Sequence, residues 1–184
     1  MVIAVDGACP SNGTRQANKS ACGVYFAPGA DNWSWRVADR PGERHTSSRA
    51  EIHAAIGALK AILPFTEHGG QTVCKHPGGP RLAYHGGHLV RRVGSITQHV
   101  DKWRVNGWKT SKRMPVRDRD LWEEMLALLD MIESESETRV EFWHVPREEN
   151  VEADELANEG LLSRRVLDQS AFDLCDFMQS EEKL

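Results

Sequence analysis

The sequence predicts an α/β domain on a mixed five-stranded sheet, in the order βββαβααβα, with helices packed on its faces. Three observations carry that expectation. A short, continuous apolar run, Val2 to Val5, opens the chain and is followed by two β-prone stretches. A capped, amphipathic helical pattern follows from Ser48. A further strand-then-helix pair, Val140 to Leu161, comes near the end. The length of 184 residues suits one such domain, expected over residues 1–163, with an acidic tail over 164–184.

Val2 to Val5 has no polar interruption, as expected of a strand buried on both faces. Pro10 to Ser20 is polar and reads as a loop. Cys22 to Ala27 forms a second strand, and the run from Pro28 to Asn32 turns the chain. Trp33, Trp35 and Val37 alternate with polar residues, which gives a third strand and an antiparallel meander.

The first helix is expected to take Ser48 as N-cap, with Glu51 at capping-box spacing. Ile52, Ala55, Ile56, Leu59 and Ile62 then form its apolar stripe, and Pro64 stops it. Residues 66–80 are rich in Gly and Pro and carry little pattern. Arg81 to Tyr84 is the fourth strand; short helices follow from Leu89 and from Thr97 to Trp103, and Asn106-Gly107 is a turn. Asp120 starts another helix, with Leu121, Met125, Leu128, Leu129 and Ile132 on its inner face. Val140 to Val145 is the fifth strand, ended by Pro146. The last helix, from about Asn150, carries Ala153, Leu156, Ala157 and Leu161.

Composition narrows the function. Hydrophobic residues make up 40% of the chain, enough for a core, and the net charge of −4 argues against indiscriminate coating of nucleic acid. A local basic face remains, because Lys and Arg cluster between Arg81 and Arg119 while acids crowd from Asp120 onward. The four Cys show no CxxC spacing, which suggests reduced thiols rather than zinc or redox chemistry. No apolar run reaches the ~18 residues of a membrane span and no signal peptide is evident. A soluble, intracellular monomer, nuclear or cytoplasmic, with no membrane partner is expected.

Three carboxylates stand where elements meet: Asp6 at the end of the first strand, Glu51 early in a helix, and Asp154 in the first turn of the last helix. Each has an ordinary structural explanation. Asp6 suits a turn, Glu51 a capping box, and Asp154 a helix dipole. Their joint pattern is what stands out, because acids at element ends are a way to gather hard oxygen ligands for magnesium.

The surrounding motifs are Asp6-Gly7-Ala8-Cys9 with Asn12-Gly13, then Thr46-Ser47-Ser48-Arg49-Ala50-Glu51. Trp103 and Asn106-Gly107-Trp108-Lys109-Thr110 follow, and lastly Phe142 through Ala157. With these motifs in this order, the chain resembles ribonuclease H of the cellular type, and fungal members most, from Val2 to about Leu162. The resemblance implies the ribonuclease H-like fold and an endonuclease that cleaves the RNA strand of RNA–DNA hybrids. It also implies Mg²⁺, with Mn²⁺ as substitute, held by Asp6, Glu51 and Asp154 in a two-metal mechanism. By the same resemblance Asn12, Ser47 and Ser48 would meet the minor groove. Trp108, Lys109 and Thr110 would hold DNA-strand phosphate, and Asn150 would join the substrate contacts. Contacts of this kind read backbone and shape rather than sequence.

The chain departs from the family in two places. Where the family has a further metal-binding Asp in mid-chain, this sequence offers His85 or His88, depending on the alignment. Imidazole suits Mn²⁺ or zinc better than Mg²⁺, so impaired activity is one expectation, and a hybrid-binding relative without catalysis is the alternative. Many relatives also carry a mobile His before the last Asp, where this chain has Arg147, Glu148 and Glu149. An exonuclease or integrase on the same sheet is a third reading, opposed by the Arg49-Ala50-Glu51 and Asn-Gly-Trp-Lys-Thr segments.

Overall fold

A computed structural model describes residues 2–63, 81–84, 100–135 and 140–167. Strands β1 (Val2–Ala8), β2 (Ala21–Tyr25) and β3 (Trp33–Val37) form the expected meander. Helix α1 (Ser47–Ile62) leads to β4 (Arg81–Tyr84), and α2 (Val100–Val105) and α3 (Arg119–Glu135) follow. Strand β5 (Glu141–His144), a 3₁₀ turn (Arg147–Glu149), α4 (Val151–Gly160) and β6 (Val166–Leu167) complete the order. His85, His88 and the short helix expected from Leu89 lie outside the described residues.

The sheet runs β5-β4-β1-β2-β3-β6. The first three strands are antiparallel to one another, while β4 joins β1 and β5 joins β4 in parallel. Five strands were expected; a sixth, of two residues, pairs in parallel with β3 through Arg36↔Val166 and Val37↔Leu167. Two residues carry too little pattern to be read as a strand, and only the neighbouring edge makes them one.

Strand pleating separates two unlike faces. Asp6 pairs with Gly23, and Gly7 pairs with Cys22, so these two couples point to opposite sides. The side shared by Ile3, Val5, Cys22, Val24, Trp33 and Trp35 is fully apolar and packs on α1. Beneath it α3 contributes Leu121, Trp122, Met125, Leu126, Leu128 and Ile132, of which Trp122 and Leu126 lie outside the expected stripe, while Leu129 is half-buried. The other side is built of small residues. Ala153, Ala157 and Gly160 of α4 are buried there, and Gly160 lies against Ala21. Small side chains let helix and sheet approach closely, and that approach sets the site.

The start of α1 differs from expectation. Its N-cap is Thr46, whose Oγ1 accepts the Arg49 N–H at 3.1 Å; Ser48 is already inside the helix. Arg49 therefore stands at the capping-box position, and Glu51 lies two residues further in. The local spacing offered two hydroxyls for one role, and the approach of the preceding loop selects Thr46. Glu51 thereby loses the capping explanation for its presence.

Candidate active site

Two glycines bring the carboxylates to one end of β1. A Cβ on Gly7 would lie 2.3 Å from the Glu51 backbone nitrogen, so α1 is seated directly on that strand position. A Cβ on Gly23 would lie 2.4 Å from the Ala153 carbonyl and 2.5 Å from the Ala157 nitrogen. Gly23 is the cross-strand partner of Asp6, so α4 is seated beside Asp6 with Asp154 in its first turn. From sequence, Gly7 is named only within the Asp6-Gly7-Ala8-Cys9 motif and neither glycine is given a packing role, although a Gly inside a strand is a recognised mark of close backbone approach.

Asp6 is 7% exposed, and its Oδ1 accepts the Gly7 N–H at 2.8 Å. Burial pushes its carboxyl up from 3.8 to about 7. The Asp154 carboxylate, within hydrogen-bonding reach, adds to the rise, while the Gly7 N–H and the Arg147 charge oppose it. Two carboxylates sharing a buried site cannot both ionise cheaply without a cation. Asp154 is better supported: its Oδ1 accepts Arg147 Nη2 at 2.6 Å and its Oδ2 accepts Asn158 Nδ2 at 3.1 Å. Arg147 was seen in the sequence as a departure from the family but given no role.

Glu51 is buried on α1, 3% exposed. Arg49, two residues before it, is clamped by three acids. Its Nη1 donates to Asp118 at 3.2 Å and its Nη2 to Glu43 at 2.7 Å and Asp120 at 3.0 Å. This clamp ties the first turn of α1 to the start of α3 and so steadies the segment that carries Glu51. Among the described residues, no group of three or more His, Cys, Asp or Glu is gathered closely enough to hold a metal ion. Asp6 and Asp154 are in contact, and the Glu51 backbone lies against the neighbouring Gly7.

The expected substrate contacts divide. Asn12 is exposed, and its Oδ1 accepts the Ser47 N–H at 3.2 Å, which joins the β1–β2 loop to the half-buried Ser47 and Ser48. Lys109 is exposed and Thr110 half-buried, both on a small hairpin closed by Lys109 and Pro115. Asn106 shapes this hairpin: its Oδ1 accepts the Lys109 N–H at 3.0 Å while Gly107 and Trp108 take φ of 72° and 60°.

Trp108 and Asn150 do not fit a direct contact. Trp108 is 8% exposed and packs with Trp103 at 6.3 Å, under the Arg119 guanidinium. Its ring belongs to the core, so the backbone and Lys109 are what this segment presents. Asn150 is 1% exposed, and its Nδ2 donates to the Val5 carbonyl at 3.3 Å, next to Asp6. It pins the start of α4 to β1, and no substrate atom can reach it. Among the described residues its buried Oδ1 has no hydrogen-bond partner.

Among the described residues, no helix is long and apolar enough to cross a membrane. Cys9 and Cys22 are free thiols.

No family model matches the chain. Individual relatives do. The chain is 31% identical over 137 residues to a ribonuclease H of Thermosynechococcus vestitus, covering 70% of this chain and 69% of that protein. It is 32% identical over 164 residues to human ribonuclease H1, covering 87% of this chain, and spans about half (49%) of that protein's length. A ribonuclease H of Rhodopseudomonas palustris is 29% identical, with 90% of this chain and 95% of that protein covered. Among solved structures, LC11-RNase H1 in complex with RNA/DNA hybrid superposes with a TM-score of 0.55 at 22% identity, over 88% of this chain and 99% of that one. The foamy viral protease–reverse transcriptase in complex with RNA/DNA hybrid gives a TM-score of 0.61 at 21% identity, over 86% of this chain and 19% of that one. At these identities the structural likeness is one of fold.

Proposed function

This chain belongs to the ribonuclease H family, and from that footing we propose that it is a divalent-metal-dependent endonuclease acting on the RNA strand of RNA–DNA hybrids. The observation that carries the proposal is the Asp6–Asp154 carboxylate pair, Asp6 buried and Asp154 half-buried, held together by the close seating of α4 on Gly23. Among the described residues the donors are carboxylate oxygens, which suit Mg²⁺, and a desolvated pair of acids is a site that a divalent cation relieves. Asp6 and Asp154 would hold the metal, with Glu51 approaching from α1. Bound there, Mg²⁺ supplies Lewis-acid activation of water and neutralises charge on the scissile phosphate.

The rest of the work falls to this chain's own side chains. Asn12 braces the start of α1, where the hydroxyls of Ser47 and Ser48, on the helix that carries Glu51, would meet ribose 2′-OH groups. Lys109, on the rigid hairpin, offers a point charge to phosphate on the opposite strand. Asn150 keeps α4, and with it Asp154, in register with Asp6.

A second reading, hybrid binding without cleavage, is favoured by one observation: among the described residues no group of three or more His, Cys, Asp or Glu is gathered closely enough to hold a metal ion. One experiment separates the two. A labelled RNA–DNA hybrid, with single-stranded RNA and duplex DNA as controls, is incubated with Mg²⁺ or Mn²⁺ and wild-type protein or Asp6→Asn. Hybrid-specific cleavage that vanishes in Asp6→Asn supports the nuclease. Retention of the hybrid on the protein with no cleavage in either metal supports the binding module.

A further inference from the structure

The ion pair between Arg147 and Asp154 has a consequence for how the site takes up its metal. Arg147 sits on the 3₁₀ turn before α4 with its side chain 70% exposed, and its Nη2 reaches Oδ1 of the half-buried Asp154 at 2.6 Å. That oxygen belongs to the same carboxylate that meets Asp6. Asn150, three residues on, is anchored to the Val5 carbonyl, and its N–H donates to the Arg147 carbonyl at 3.1 Å. The turn carrying the guanidinium is thus tied to the strand that carries Asp6. Arg147 is not a stray surface cation; its backbone is held where its side chain reaches the carboxylate pair.

We propose that Arg147 is a built-in competitor for the metal site: guanidinium and divalent cation would compete for the Asp154 carboxylate, and metal loading requires the side chain to let go. The inference rests on the proposed metal site. Several properties follow from the chemistry of the pair. An exposed Arg–carboxylate contact is weak enough to exchange, and guanidinium is a bidentate partner for phosphate. A hybrid backbone arriving at the site offers the released guanidinium a new partner, so substrate phosphate and metal favour each other's entry. The site stays guarded against adventitious cations until nucleic acid is present.

The test measures metal binding directly, by the loss of free-Mn²⁺ electron paramagnetic resonance signal on titration, using the whole chain without nucleic acid. Arg147→Gln is expected to tighten Mn²⁺ about two- to five-fold, the worth of an exposed ion pair removed from the competing state. Arg147→Lys should stay near wild type, because it keeps a competing charge. Arg164→Gln removes an equal charge at an exposed position past α4 and should leave affinity unchanged, which separates contact from net charge. Added NaCl should narrow the gap between wild type and Arg147→Gln. Equal or weaker Mn²⁺ binding by Arg147→Gln, with wild-type binding abolished by Asp6→Asn, overturns the competitor role alone. Mn²⁺ binding that survives Asp6→Asn overturns the metal site and the competitor role together. Because Arg147 is mostly exposed, its variants are expected to fold, and a melting curve checks this.

Discussion

Replacing Asp6 by Asn removes one charge from the carboxylate pair and leaves its shape intact. The amide oxygen can still accept the Gly7 N–H, and the amide nitrogen can donate to Asp154. Burial, with the neighbouring Asp154 adding to it, pushes the Asp6 carboxyl up from 3.8 to about 7. A carboxyl whose folded pKa is raised binds its proton more tightly in the folded state. Its stabilising contribution is therefore complete below 3.8 and is lost as pH rises through about 7. That span corresponds to a loss on the order of 4 kcal/mol at 1.36 kcal/mol per unit. Asp6 is 7% exposed, so solvent screening removes little of this, and the figure stands as a ceiling. The assay is urea unfolding at pH 5 and pH 8 in a chelator, on both proteins, because the difference between them isolates Asp6. Asp6→Asn should be more stable than wild type at pH 8, and the advantage should shrink at pH 5. Adding Mg²⁺ should stabilise wild type selectively. An Asn variant less stable than wild type at pH 8 in chelator would refute the strained carboxylate pair, and with it the main argument for a cation site.

Gly23→Ala should cost about 1–3 kcal/mol and depress activity beyond that loss, since the new methyl meets backbone of α4 at Ala153 and Ala157; urea unfolding and hybrid cleavage measure the two effects. Thr46→Ala should lower stability by about 1 kcal/mol while Ser48→Ala changes it little, which a pair of thermal melts checks. Trp108→Ala should cost about 3–5 kcal/mol as a core truncation. Lys109→Ala should leave stability unchanged and reduce the salt dependence of hybrid binding by about one counterion. His85→Asp and His88→Asp, made separately, should differ in Mg²⁺-dependent cleavage, the variant that restores a ligand gaining up to about 10²–10³ in rate; no gain in either would favour the binding module.

Much of this protein was legible because the relevant signals are local. A continuous apolar run placed β1, alternation placed β3, and period-3.6 stripes placed α1 and α3, since each depends on which faces of one segment must leave water. Asp6, Glu51 and Asp154 could be named because an ordered set of long motifs surrounds them. Tertiary structure decided the rest. Thr46 rather than Ser48 caps α1, because a cap depends on how the loop arrives as well as on the hydroxyl. Trp108 and Asn150 are polar-segment residues by sequence, yet packing against Trp103 and bonding to Val5 bury both. Two-residue β6 exists through the β3 edge beside it. Gly7 and Gly23 matter because a Cβ at either would meet the backbone of a helix that is far away in sequence. The meeting of Asp6 with Asp154 spans nearly the whole chain, and a contact of that separation is written in the approach of α4 to the sheet rather than in any neighbouring residue.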